Sequence, residues 1–91
     1  MKPEQHKVIA KAMGLKSHIH DLLGCRAEVN KYWVVWNPET NAEQTLMVLE
    51  WLFEKQGHGK TLLRIDFLLT SGICEDFQTA VCMAAFEYIN Q

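Results

Sequence analysis

Residues 33 to 55 read Trp33-Val34-Val35-Trp36-Asn37-Pro38-Glu39-Thr40-Asn41-Ala42-Glu43-Gln44-Thr45-Leu46-Met47-Val48-Leu49-Glu50-Trp51-Leu52-Phe53-Glu54-Lys55. The stretch opens as a strand: Tyr32, Val34 and Trp36 fall on one side of an extended chain, Trp33 and Val35 on the other. Both sides are apolar, which predicts cover on both faces of the sheet. Asn37-Pro38 ends the strand, because proline has no N–H for a ladder and disfavours helix in the residue before it. Thr40 and Glu43 then have capping-box spacing, the hydroxyl accepting from the third helical N–H while the carboxylate returns to the cap. A helix is expected from there to Gly57, placed where a left-handed cap is wanted.

That helix is greasier than one buried face requires. At about 100° per residue, Leu46, Val48, Leu49, Leu52 and Phe53 gather on one side. Met47 and Trp51, one turn apart, stack on the opposite side among Glu43, Gln44, Glu50, Glu54 and Lys55. A Met–Trp pair inside a charged face has the composition of a binding hot spot. Met47, Trp51, Glu50 and Glu54 are therefore the candidate interface, the alternative being cover by another part of the same chain.

Outward from this stretch the pattern is simpler. Pro3 suits the first turn of a helix carrying Val8, Ile9, Ala12 and Met13, and Gly14 stops it. Residues 15 to 24 fit either a short helix or an irregular connection. Cys25, Ala27 and Val29 alternate with Arg26 and Glu28 as a half-buried strand does, and Asn30-Lys31 makes the turn into the next one. Lys60 to Leu69 reads as a second long strand, with Leu63, Ile65, Phe67 and Leu69 on one face. A last helix starts near Asp76 and carries Phe77, Val81, Ala84, Ala85 and Tyr88 on one stripe. The order helix, strand, strand, helix, strand, helix predicts an α/β protein of the α+β kind. It is expected to be a single domain over residues 1–91, a three-layer α/β/α sandwich with a small, mainly antiparallel sheet and about three helices.

Composition narrows the function classes. The chain has 91 residues, near the small end of what folds on a hydrophobic core alone, with 48% hydrophobic and 22% charged residues. A net charge of −2 without a Lys/Arg cluster argues against direct nucleic-acid binding. Cys25, Cys74 and Cys82 are odd in number and lack C-x-x-C spacing, as expected of reduced thiols inside a cell. The start, Met1-Lys2-Pro3-Glu4-Gln5-His6, lacks the apolar core of a signal peptide, and no run approaches the roughly 20 apolar residues of a membrane span.

No motif amounts to a catalytic site. Gly57-His58-Gly59-Lys60-Thr61 ends like a P-loop, but Glu54 stands where the first glycine is needed, and a helix followed by a strand would present the wrong end of the helix dipole. His18 and His20 share a face if extended, yet two histidines without further N/S ligands make a poor zinc site. Cys82 lies among Val81, Met83 and Ala84 as a packing residue, whereas Cys25 and Cys74 lie near turns and are expected nearer the surface. Arg64 and Asp66 on one strand face are the most suggestive polar pair, because a covered face penalises lone charges. No catalytic residue, metal site or cofactor is assigned. Trp33, Trp36, His18, His20 and Arg64 are candidate ligand-binding residues, suited to a nucleotide-like small molecule.

Three segments together carry a family likeness: Val8-Ile9-Ala10-Lys11-Ala12-Met13-Gly14, the run from Asn37-Pro38-Glu39-Thr40 to Leu52, and Thr79-Ala80-Val81-Cys82-Met83-Ala84-Ala85. In these the chain resembles the phage ABA-sandwich domain family, small proteins of bacteriophages and prophages. It departs from that pattern over residues 60 to 75, where the family's strand hairpin is longer. The resemblance implies the sandwich fold and a phage setting in the host bacterial cytoplasm, and brings no catalytic residues. With the absence of an active site and the Met47/Trp51 pair, the resemblance leads to the expectation of a non-enzymatic accessory protein that binds a host defence protein or itself as a homo-oligomer. The alternative is an oligomeric sequestering protein for a nucleotide-type immune signal.

Overall fold

Pro3 opens helix α1 (Pro3–Ala12), whose first turn is closed by Gln5 Oε1 accepting from the Lys2 amide at 2.8 Å. A computed structural model places every residue from Met1 to Gln91. After α1 the chain forms β1 (Ser17–His20), β2 (Gly24–Val29) and β3 (Tyr32–Val35), then α2 (Ala42–Gln56), α3 (His58–Thr70) and α4 (Phe77–Ile89). The class is α+β with an antiparallel sheet, as expected, although there are four helices rather than about three. The elements group into two compact units, Met1–Asn37 and Pro38–Gln91.

The first unit is α1 packed on an antiparallel meander of order β1-β2-β3. Gly14, at φ +84°, releases α1 into the segment that sequence left open, and Ser17–His20 there is a strand. Between β2 and β3 the two-residue turn Asn30-Lys31 has φ values of 52° and 73°. Two left-handed residues in succession define the turn whose twist matches a hairpin. Cys25 and Ala27 point inward and are buried with Ile9 and Ala10 of α1. Trp36, just past β3, is 1% exposed, and its indole Nε1 donates to the His6 carbonyl at 3.0 Å. Trp33 and Val35 on the opposite face remain exposed, where cover on both faces was expected.

The second unit is helical throughout, with α2, α3 and α4 packed pairwise. The cap of α2 is Asn41, one residue beyond the expected Thr40: Asn41 Oδ1 accepts from the Gln44 amide at 3.1 Å. Asparagine caps at least as well as threonine, and the Thr45 hydroxyl secures the Asn-Pro stop by donating to the carbonyls of Pro38 and Asn41. Gly57, at φ +87°, ends α2 as predicted. It also starts α3, so the expected strand over residues 60 to 69 is a helix.

The strand reading failed for a physical reason. Leu62, Leu63, Leu68 and Leu69 are residues that helices favour, and Ile65 is the one β-branched hydrophobe between Lys60 and Leu69. Thr61, Ile65 and Leu68, spaced one turn apart, are the buried positions. The P-loop-like Gly57–Thr61 run thus opens a helix after all, and the objection from dipole direction lapses. The missing first glycine remains. Downstream, Asp76 caps α4 by accepting from the Thr79 amide at 2.7 Å, and Ala80, Val81, Cys82, Ala84 and Ala85 let α4 lie close to its neighbours. No helix is long and apolar enough to cross a membrane.

Candidate binding surfaces

The outer face of the sheet is set by register. His18 pairs with Arg26, Arg26 with Val35, and Glu28 with Trp33, so these side chains project from one face. The His18 and Trp33 rings are 4.9 Å apart at 55°. Trp33 and Val35 are 41% and 46% exposed. Arg26, opposite Val35 on the central strand, reaches the Trp33 carbonyl with Nη2 at 3.5 Å, while its Nε is buried without a hydrogen-bond partner. A ring pair, a guanidinium and a flanking carboxylate therefore share one open sheet face.

Of the five residues expected to bind a ligand, this face unites two. His20 is occupied in a turn, its Nδ1 accepting from the amides of Leu22 and Leu23 at 3.1 and 3.2 Å. Trp36 is buried on the α1 side and holds the fold through its indole N–H, so its expected place in a ligand cleft is corrected. Arg64 belongs to α3 in the other unit and is engaged by Glu87 of α4, Nε to Oε2 at 2.6 Å and Nη2 to Oε1 at 2.8 Å. That fork-to-fork geometry gives a specific helix–helix clamp, although about two-fifths of each side chain is exposed and solvent weakens the pair. Asp66 is not its partner: two residues apart on a helix they point in different directions.

The candidate interface on α2 also changes. Trp51 is half-buried, with its ring edge-on to Tyr88 of α4 at 5.6 Å and 81°, and Met47 is half-buried as well. Intramolecular cover, the alternative weighed for this pair, thus accounts for Trp51. Glu50 and Glu54 are exposed beside Phe53 and His58, whose rings stack at 4.0 Å. Leu46, expected on the buried stripe, is 53% exposed.

Open apolar surface lies instead on α3, where Leu62, Leu63 and Phe67 are 48%, 73% and 49% exposed. Leu63 and Phe67 border a cleft of about 470 Å³ shared with Lys60, Glu87 and Tyr88, and the Arg64 guanidinium lies 5.1 Å from the Phe67 ring centre. Sequence reasoning missed this surface because it placed these residues on a strand. Their helical spacing against Thr61, Ile65 and Leu68 is the signal that finds it.

All three thiols are buried, including Cys25 and Cys74, which were expected nearer the surface. Burial raises the pKa of each. Lys7 partly offsets this at Cys25, Asp76 adds to it at Cys74, and Cys82 is pushed up to about 12. A thiol raised in this way is a poor nucleophile at neutral pH. No three His, Cys, Asp or Glu side chains converge at a spacing suited to a metal ion. No protein-family model, curated protein or solved structure matches the chain.

Proposed function

We propose that this chain is a small phage or prophage accessory protein that works without catalysis in the host bacterial cytoplasm, by binding and inhibiting a host defence protein. The observation that carries the binding reading is the open outer face of the sheet, where Trp33 stands exposed beside His18 and Arg26. Tryptophan and arginine dominate the few residues that supply most of the energy of protein interfaces. An uncovered tryptophan on a rigid strand is costly to keep in water and useful to a partner. The phage setting rests on the three segments that resemble the ABA-sandwich family. Co-purification from a host bacterium tests the reading: a defence protein is retained by the native chain and lost with folded Trp33→Asp. Equal retention by both chains counts against it.

A second reading has its own observation. The exposed His18–Trp33 ring pair on the face that carries Arg26 suits a planar anionic ligand, so a nucleotide-type immune signal is the alternative occupant. Chain purified from infected cells and then heat-denatured releases such a compound for mass spectrometry. Recovery of no nucleotide-type compound removes this alternative.

A further inference from the structure

On α3, Lys60, Leu63, Arg64 and Phe67 recur at i, i+3, i+4 and i+7, so they form one stripe about 100° wide. On α4, Ala84, Glu87 and Tyr88 follow the same spacing. A short connection, residues 71 to 76, joins the two helices as antiparallel neighbours. Cys74 in that connection ties them together, its amide donating to the Leu68 carbonyl at 2.9 Å and its thiol to the Met83 sulfur at 3.6 Å. The Arg64–Glu87 fork sets those two residues level. The stripes therefore border the cleft of about 470 Å³ from opposite sides, with Ala84 toward Phe67 and Tyr88 toward Lys60. We propose that this cleft binds a small amphiphilic monocarboxylate, its apolar body over Leu63, Phe67 and Ala84 and its carboxylate between Lys60 and Tyr88.

Size, polarity and charge each select that ligand. The volume lies within the range of small-molecule sites. From Lys60 to Phe67 the helix rises about 10 Å, close to the length of octanoate. Leu63 and Phe67 are 73% and 49% exposed, apolar area that a hydrocarbon body takes out of water. At the other end, the Lys60 ammonium has no ion pair or hydrogen bond, and the Tyr88 hydroxyl makes no hydrogen bond. Both donors are unspent. Arg64 is not, because its fork is taken up by Glu87 and the two charges offset each other. One net positive charge remains. It matches a carboxylate and leaves the second charge of a phosphate monoester without a partner.

The site lies wholly within the second unit and shares no residue with the Trp33 face. It does not rest on the host-partner reading.

Amide chemical shifts of the isotope-labelled full chain, titrated with octanoate, test it. Octanoate shifts the amides of Lys60 to Phe67 and of Ala84 to Tyr88 saturably, with a Kd of about millimolar or tighter. Octanamide has the same chain without the charge and binds the native protein about fivefold or more weakly. Lys60→Gln weakens octanoate by a similar factor and leaves octanamide unchanged. Leu63→Asp weakens both ligands. Lys60 and Leu63 are exposed, so both variants keep the fold. Trp33→Asp leaves octanoate binding intact, which separates this site from the host-binding face. The proposal is overturned if octanoate moves no amide of the two stripes, if octanamide binds the native chain as tightly, or if Lys60→Gln holds octanoate as well as the native chain does.

Discussion

Replacing Trp36 with phenylalanine should unfold this protein far more readily than the same change at Trp33. Trp36 is 1% exposed and its Nε1 donates to the His6 carbonyl at 3.0 Å. Phenylalanine removes that donor, and depriving a buried acceptor of its partner costs about 1–3 kcal/mol. The void left by the lost ring, at about 24 cal/mol per Å³, adds on the order of 1 kcal/mol. The total is about 2–4 kcal/mol. For a chain of this length each kcal/mol moves Tm by about 4–8 °C. Trp33 is 41% exposed and none of its hydrogen bonds passes through the indole, so Trp33→Phe should cost at most about 1 kcal/mol. Urea unfolding followed by circular dichroism compares the two variants directly. Equal losses, or a loss at Trp36 below about 0.5 kcal/mol, would refute the assignment of Trp36 to the core and Trp33 to the surface.

Three further outcomes follow from local geometry. Lys31 holds φ at +73°, a conformation that costs a side-chain-bearing residue about 1–2 kcal/mol, so Lys31→Gly should raise Tm in a thermal scan; an unchanged or lower Tm counts against the hairpin geometry. The Thr79 amide bond holds the Asp76 carboxyl below its ordinary pKa, so its stabilising effect is full above the unfolded value and fades as pH falls through the folded one. Asp76→Asn should therefore flatten the acid limb of a Tm-against-pH curve, and an unaltered limb contradicts the cap. Cys82, pushed up to about 12 by burial, stabilises the fold fully below the unfolded thiol pKa. Each pH unit between the two pKa values removes up to about 1.4 kcal/mol. Thiol titration at pH 8 should find no reactive cysteine until urea is added, and rapid labelling of the native chain contradicts the burial.

Much of the fold was legible because it rests on local chemistry. Pro3, Gly14, Pro38 and Gly57 act where their backbone preferences place them. Alternation in Cys25–Val29 and the apolar run Tyr32–Trp36 mark two strands. The third strand, Ser17–His20, was not legible, since four residues without a buried face carry too little pattern. Residues 60 to 69 were misread because an apolar run satisfies both periods when counted loosely, and there the leucines should have outweighed the alternation. The candidate site suffered from the same limit. Sequence named His18 and Trp33, but which rings meet depends on register, and Arg26 escaped notice because only the pairing sets it on their face. Trp36 looked like Trp33 in sequence and differs from it only by facing α1.

The claim that the chain acts by binding a host defence protein through the outer face of its sheet meets its most direct test in phage plating. Host strains, each carrying one defence system, express the native chain, Trp33→Asp or neither, and are challenged with a phage that the system restricts. The account predicts that the native chain restores plaque formation on at least one strain and that the folded Trp33→Asp variant returns plating to the restricted level. Plating that the native chain leaves restricted on every strain, or that Trp33→Asp restores equally well, would contradict it.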